Sequence, residues 1–364
     1  MPRQGIDRVF LSIVLILLFA GLFIFVSAAL GTLARSESKF DNLLMSQLLF
    51  GLLGGSVAMY ITSRIKYQFW RKNAFWIFLG SVILAGLVFV PGIGMEHGGA
   101  RRWIDLGITT FQPGEALKFG VIVYLSAWFS SYHKQIHSPV FGLLPFLLML
   151  GITGGLLLAQ PDTGTFLIAV GAGTAMFFAA GGKWRYVVLL FVLGAVLIGG
   201  LAVWKPYIRD RISTLITLDD FQGSGYQVRQ AMIAIGSGEI FGRGFGQSVQ
   251  KFNYLPEAHG DSIFAVFGEE FGFVGASALI MLYVVFALRG LWIAGHAPDM
   301  FSGLLVVGII ILLTGQSFIN IGSMINLLPL TGVPLVFVSH GGTALLIAMA
   351  EVGILLNISR YRRV

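Results

Sequence analysis

Residues 9–33 form one unbroken apolar stretch, and similar stretches recur along the whole chain. A helix that crosses the hydrocarbon core of a bilayer needs about 20 mainly apolar residues. The runs 9–33, 42–63, 74–92, 114–131, 140–159, 164–181, 186–204, 262–288, 300–320 and 338–358 meet that length closely enough to predict about ten spans. Only 11% of the 364 residues are charged and 56% are hydrophobic. A soluble domain, with about 25% charged residues, would have far more polar surface. The expected fold is therefore an all-α polytopic membrane protein, a single membrane domain over residues 1–364. Arg3 and Arg8 precede a first run too long for a signal peptide, so it reads as an uncleaved helix.

The net charge of +7 does not indicate nucleic acid, because the Lys and Arg residues sit in short loops between apolar runs. The chain has no cysteine, which excludes disulfides and thiolate metal sites. Placing the N-terminus inside collects Arg64, Lys66, Arg71, Lys72, Lys134, Lys183, Arg185, Arg289, Arg360, Arg362 and Arg363 on the inner side. The short outer loops then hold only Arg35, Lys39, Arg101 and Arg102. This bias predicts that both termini are cytoplasmic. It also predicts two large extracytoplasmic loops, about 92–113 and 205–261, the second between helices 7 and 8. The second loop is rich in Gly and aromatic residues and carries a helix-like run from Gly225 to Ile235. Long structured loops usually carry function.

Ionisable groups in or beside spans are costly and usually functional. Glu115 and Lys118 stand three apart on one helix face and can pair, either to fix two helices or to act directly. Asp162, in the turn Gln160–Thr163, reads as an N-cap for the sixth span. Asp261 closes the long loop, just before the eighth span. It fits two roles equally: an N-cap, or a partly desolvated carboxylate with a raised pKa suited to general-base work. Glu269 and Glu270 point to different faces of that span, so at least one needs a partner or a cavity. Arg101, Arg102, Arg243 and Lys251 are loop cations that could together hold a diphosphate. His259 is a candidate base or ligand, but no cluster has metal-ligand spacing.

Several separated motifs resemble the SEDS family (FtsW, RodA, SpoVE), in the family's order. They are Gly99–Gly107 with Phe111–Glu115 and Lys118, Gln160–Thr165, Tyr226–Ala231, Gly242–Gly246, Leu255–Asp261 through Gly272, and Asn326–Gly342. Gly114, Gly260, Ser262, Val336 and His340 depart from the family wording, and none of them removes a charge. The wording of Ser248–Lys251 and Pro256–His259 is closer to FtsW and SpoVE than to RodA. The resemblance implies a peptidoglycan glycosyltransferase polymerising lipid II on the outer face of the cytoplasmic membrane, in division or sporulation. It implies Asp261 as the catalytic base. Arg101, Arg102, Gln112, Glu115, Lys118, Arg243, Lys251, Glu257 and His259 are then the expected substrate-binding residues. It also implies an FtsI-like class B penicillin-binding transpeptidase and other division proteins as partners. It fixes no cofactor, and a divalent cation, Mg or Mn, is a candidate to neutralise the leaving diphosphate. A lipid II flippase and a RodA-like elongation polymerase are the alternative readings.

Overall fold

The computed structural model describes residues 5–34, 36–97, 100–105, 107, 110–215 and 223–363. Arg3, Arg35, Gly99 and Leu106 lie outside the described residues. The helices that form the spans and frame the loops are α1 (Arg8–Leu33), α2 (Glu37–Arg64), α3 (Ala74–Phe89), α4 (Pro113–Ser131), α5 (Pro139–Ala159), α6 (Thr163–Ala179), α7 (Trp184–Trp204), α8 (Pro206–Ser213), α9 (Ser224–Ser237), α10 (Gln250–Asn253), α11 (Ile263–Gly295), α12 (Met300–Met324) and α13 (Gly342–Ser359), and a short helix, Tyr67–Lys72, lies between α2 and α3. Among the described residues, seven of these helices are long and apolar enough to cross a membrane: α1, α2, α5, α7, α11, α12 and α13. The third and sixth predicted spans are the shorter apolar helices α3 and α6. The fourth is α4, whose first two turns carry Glu115 and Lys118. The chain is a multi-pass membrane protein.

Local chemistry explains most boundaries. Asp7 caps α1 through Oδ1, which accepts the Phe10 N–H at 2.8 Å. Asp299 and Ser302 form a reciprocal capping box on α12. α12 is packed on nearly all sides, whereas only Leu190 of α7 is buried. An apolar helix left bare on most of its surface is one that meets lipid.

Two features depart from the expectation. The fold is not all-α: the 92–113 loop holds a three-stranded antiparallel sheet, β1 (Gly94–His97), β2 (Ala100–Asp105) and β3 (Thr110–Phe111). Its alternating residues are too few to stand out against long apolar runs, and backbone pairing to neighbours makes the strand. The eighth span, in turn, is not one straight helix. Gly272 breaks α11 at φ 63°, a conformation in which glycine meets no Cβ penalty. The break frees backbone groups that would otherwise bond along the helix. The Glu239–Gly244 turn takes them up: Arg243 and Gly244 N–H donate to the Glu269 and Glu270 carbonyls at 3.0 and 2.9 Å. Phe273 and Val274 N–H donate to the Glu239 and Ile240 carbonyls at 2.9 and 3.1 Å. Irregular backbone beside a span is tolerated where protein satisfies it in this way.

Candidate active site

A cleft of about 370 Å³ opens where β2, α8, the segment before α11 and the 331–344 segment meet. Its charged lining comprises Arg102, Arg211, Glu257 and Asp261. The pleat of β2 decides which arginine enters. Successive strand side chains point to opposite faces, so Arg101 turns to solvent and pairs with Glu96 at 3.1 Å. Arg102 turns inward, donating from Nε to the Gln160 carbonyl at 3.2 Å and from Nη2 to the Pro161 carbonyl. Arg211 comes from α8, with its Nη1 donating to the Thr331 carbonyl at 3.3 Å and its guanidinium 5.8 Å from the Tyr207 ring.

Asp261 is not a helix cap. Ser262 stands at the N-cap position of α11 and makes no side-chain cap bond. Burial pushes the Asp261 carboxyl up to about 6, and the neighbouring Glu257 charge adds to the rise. Arg211 and Arg102 oppose the rise. Burial also lowers the Arg211 pKa, and the Arg102 charge adds to that, yet a guanidinium stays charged at neutral pH. His340, at the cleft wall, is lowered to about 4 by burial and by His259, so it is a neutral imidazole near neutrality.

The floor under Asp261 is Gly332, at φ +70°. An ideal Cβ there would stand 3.3 Å from Asp261 Oδ2 and 3.8 Å from Arg211 Nη2, so the carboxylate and guanidinium converge over the bare glycine. Gly332→Ala is expected to cost about 1–2 kcal/mol from the left-handed backbone alone. It should also displace the carboxylate, so that activity falls further than the small melting shift would suggest. Thermal melting and turnover on one preparation check both effects.

The remaining expected residues sort into those at the cleft and those away from it. Gln112 lines the cleft, and its Nε2 donates to Asp162 Oδ2 at 3.4 Å. Asp162 is the predicted cap of α6, with Oδ1 accepting the Thr165 N–H at 3.2 Å. Glu257 lines the cleft at φ +47°. Gly260 allows its approach, since a Cβ at 260 would crowd Glu257 Oε2 at 3.1 Å. The His259 ring lies edge-on to His340 at 5.7 Å. Arg101 faces away, as described.

Three of the expected substrate-binding cations stand in ion pairs. Lys118 is fully buried, bonded to Glu115 at 2.9 Å and to Gln316 Oε1 at 2.5 Å, which ties α4 to α12. Lys251 is buried against Glu270 at 2.6 Å and Ser27 at 3.0 Å. Arg243 lies 3.4 Å from Glu269. Glu269 also accepts Ser248 Oγ at 2.6 Å and the Val249 and Gln250 N–H groups at 3.1 and 3.3 Å. Both adjacent glutamates have therefore found partners, in a network that fastens the long loop to α1 and α11. Lys118 and Lys251 are buried with their partners, whereas the Arg243 side chain stays 42% exposed beside Glu269. Arg211 was not among the expected residues. It sits in the mixed-charge run Arg209–Arg211, where no spacing rule singles it out, and only the α8 fold turns it inward. Among the described residues, no group of three or more His, Asp or Glu side chains is placed to hold a metal ion. The positive charge facing Asp261 comes from Arg102 and Arg211.

Stage V sporulation protein E of Bacillus subtilis (strain 168) is 37% identical over 361 residues, which is 98% of this chain and 98% of that one. A probable peptidoglycan glycosyltransferase FtsW of Geobacter sp. (strain M18) is 36% identical over 363 residues, covering 99% and 98%. In shape, the chain matches a component of a peptidoglycan synthase complex that coordinates polymerisation and crosslinking, with TM-score 0.79, 25% identity and 99% of each chain covered. It also matches the rod shape determining protein RodA of Thermus thermophilus, with TM-score 0.70, 25% identity, and 99% and 98% covered. The model of the FtsW, RodA and SpoVE family, described as cell cycle protein, matches residues 7–364, and this chain belongs to that family.

Proposed function

We propose that this chain is a peptidoglycan glycosyltransferase that polymerises lipid II, with Asp261 as general base and Arg102 and Arg211 as the cations of the donor diphosphate. The observation that carries the reading is the juxtaposition in one cleft of a carboxylate raised to about 6 and two inward-facing guanidiniums. Asp261 accepts the proton of the acceptor sugar's 4-hydroxyl as its oxygen bonds to C1 of the donor, with inversion. The C1–O bond to phosphate breaks, and the lipid diphosphate leaves with the electron pair. Arg102 and Arg211 neutralise that charge where it develops, and the Asp261 proton then passes to water. No step is routed through a metal.

The ten-span topology, with both termini cytoplasmic and the cleft facing outward, is part of this proposal. It is supported by the Lys and Arg bias of the loops. In it the chain acts as one membrane domain of the inner membrane, at the division septum or in sporulation, consistent with the names of its relatives. A class B penicillin-binding transpeptidase is the proposed partner, by analogy with the peptidoglycan synthase complex that shares its shape.

A general base works only when deprotonated, so turnover should rise with pH through the Asp261 pKa. Glu257 is a like charge that raises that pKa. Glu257→Gln should therefore move the acid limb of the pH–rate profile to lower pH; an unmoved limb would detach Glu257 from the base. The direct test of function is the purified chain in liposomes with lipid II, with and without a transpeptidase, reading glycan chains on a gel. Glycan strands from the chain alone or with the partner support the proposal. Absence of polymer in both, with the chain folded, overturns it.

A further inference from the structure

Nothing in the mechanism explains why α12 carries Asn320 at full burial. Its Nδ2 donates to two carbonyls on different segments: that of Asp261 at 2.7 Å and that of Val333 at 2.8 Å. Its Oδ1 is buried and has no hydrogen-bond partner among the described residues. An unmade bond at a buried acceptor is unfavourable, so the residue's value lies in its two donors. Ala, Ser or an apolar residue would avoid the unpaired oxygen, but none supplies two N–H groups from one planar head.

The two carbonyls belong to the two sides of the base. One is the peptide of Asp261 itself. The other is the strap that runs past Gly332, the glycine over which Asp261 Oδ2 lies. One turn earlier on the same helix face, Gln316 Nε2 donates to the Pro334 carbonyl at 3.0 Å. Ser339 closes the far side, donating from Oγ to the Gly260 carbonyl at 2.7 Å and accepting the Leu335 N–H at 2.8 Å. The strap is thus fastened to α12 by amides, and the base is fastened to the strap through Asn320.

We propose that Asn320 is a positioning residue for the glycosyl transfer, which sets the Asp261 backbone against the Val333 strap and so fixes the carboxylate in the cleft. The inference rests on Asp261 being the base. Asn320 itself touches no reacting atom. Without it the Asp261 peptide is released from α12, and the carboxylate drifts toward solvent, where its desolvation lessens.

The test uses the full chain reconstituted with lipid II, in Asn320→Ala, Asn320→Ser, Asp261→Asn and Asn357→Ala forms. Asn357 is a matched control on α13: its Nδ2 donates to the Ser63 carbonyl at 2.8 Å, its Oδ1 is likewise buried without a partner, and it lies outside the cleft lining. Asn320→Ala should lower kcat by about tenfold or more, leave KM for lipid II within about twofold, and move the acid limb to lower pH. Asn320→Ser keeps one donor and should fall between Ala and wild type, which also serves if the Ala variant does not fold. Asn357→Ala should lose melting temperature without a change in kcat or acid limb. A folded Asn320 variant with wild-type kcat and acid limb overturns the inference while leaving Asp261 as base. An equal loss of kcat in Asn357→Ala also overturns it. An Asp261→Asn chain that still polymerises removes the base and the inference together.

Discussion

Asp261→Asn is expected to reduce lipid II polymerisation by about 10²–10⁴-fold, the span that a positioned general base contributes, while the protein still folds and melts at or slightly above the wild-type temperature. Asn matches Asp in shape and cannot accept the hydroxyl proton. The fold should tolerate the change because the side chain supports no helix: Ser262 holds the N-cap position, and the bond from Asn320 goes to the Asp261 main-chain carbonyl, which the substitution keeps. Removing a carboxylate whose pKa is raised also relieves an unfavourable burial, so a slightly higher melting temperature is the expected companion. Gel analysis of glycan chains and a melting curve from the same sample decide the matter. Wild-type turnover in a folded Asn variant would end the base assignment.

Lys251→Ala is the second large effect, and it is one of stability. Lys251 and the Glu270 side chain are both almost wholly shielded, 2.6 Å apart, with Ser27 Oγ bonded to each. Taking away one partner of a buried ion pair leaves an uncompensated charge and typically costs about 3–5 kcal/mol. Here the loss also frees the α10 segment from α1, which it touches closely: a Cβ on Gly31 would stand 2.3 Å from the Lys251 carbonyl oxygen. A sharp fall in melting temperature is expected for Lys251→Ala, with most of it regained in the double variant Lys251→Met, Glu270→Leu, because two apolar residues of similar volume satisfy each other. This separates the two roles open to this lysine. A phosphate ligand would lose activity in both variants and stability in neither. A structural lysine loses stability in the single variant and recovers it in the double.

The sequence alone determined what periodicity and local chemistry can encode. Apolar length placed the helices, because each bilayer-spanning segment must be apolar over a set distance whatever its neighbours do. Asp162 as a cap of α6 and Glu115–Lys118 as a pair were legible because both are contacts between residues three apart on one element. Asp261 was singled out by its place at the end of a loop and by the resemblance of its motif. Tertiary structure decided everything that depends on which distant segments meet. It turned Arg102 in and Arg101 out through the pleat of a sheet too short to be read from six residues. It buried Lys251 in a pair with Glu270, 19 positions away, set the exposed Arg243 beside Glu269, 26 positions away, and brought Arg211 from α8 to the base. It also broke α11 at Gly272 so that a distant turn could bond to the opened backbone. Charges attract across space without regard to sequence separation. A list of cations therefore names the candidates for a diphosphate, and only packing shows which of them are still unspent when the chain has folded.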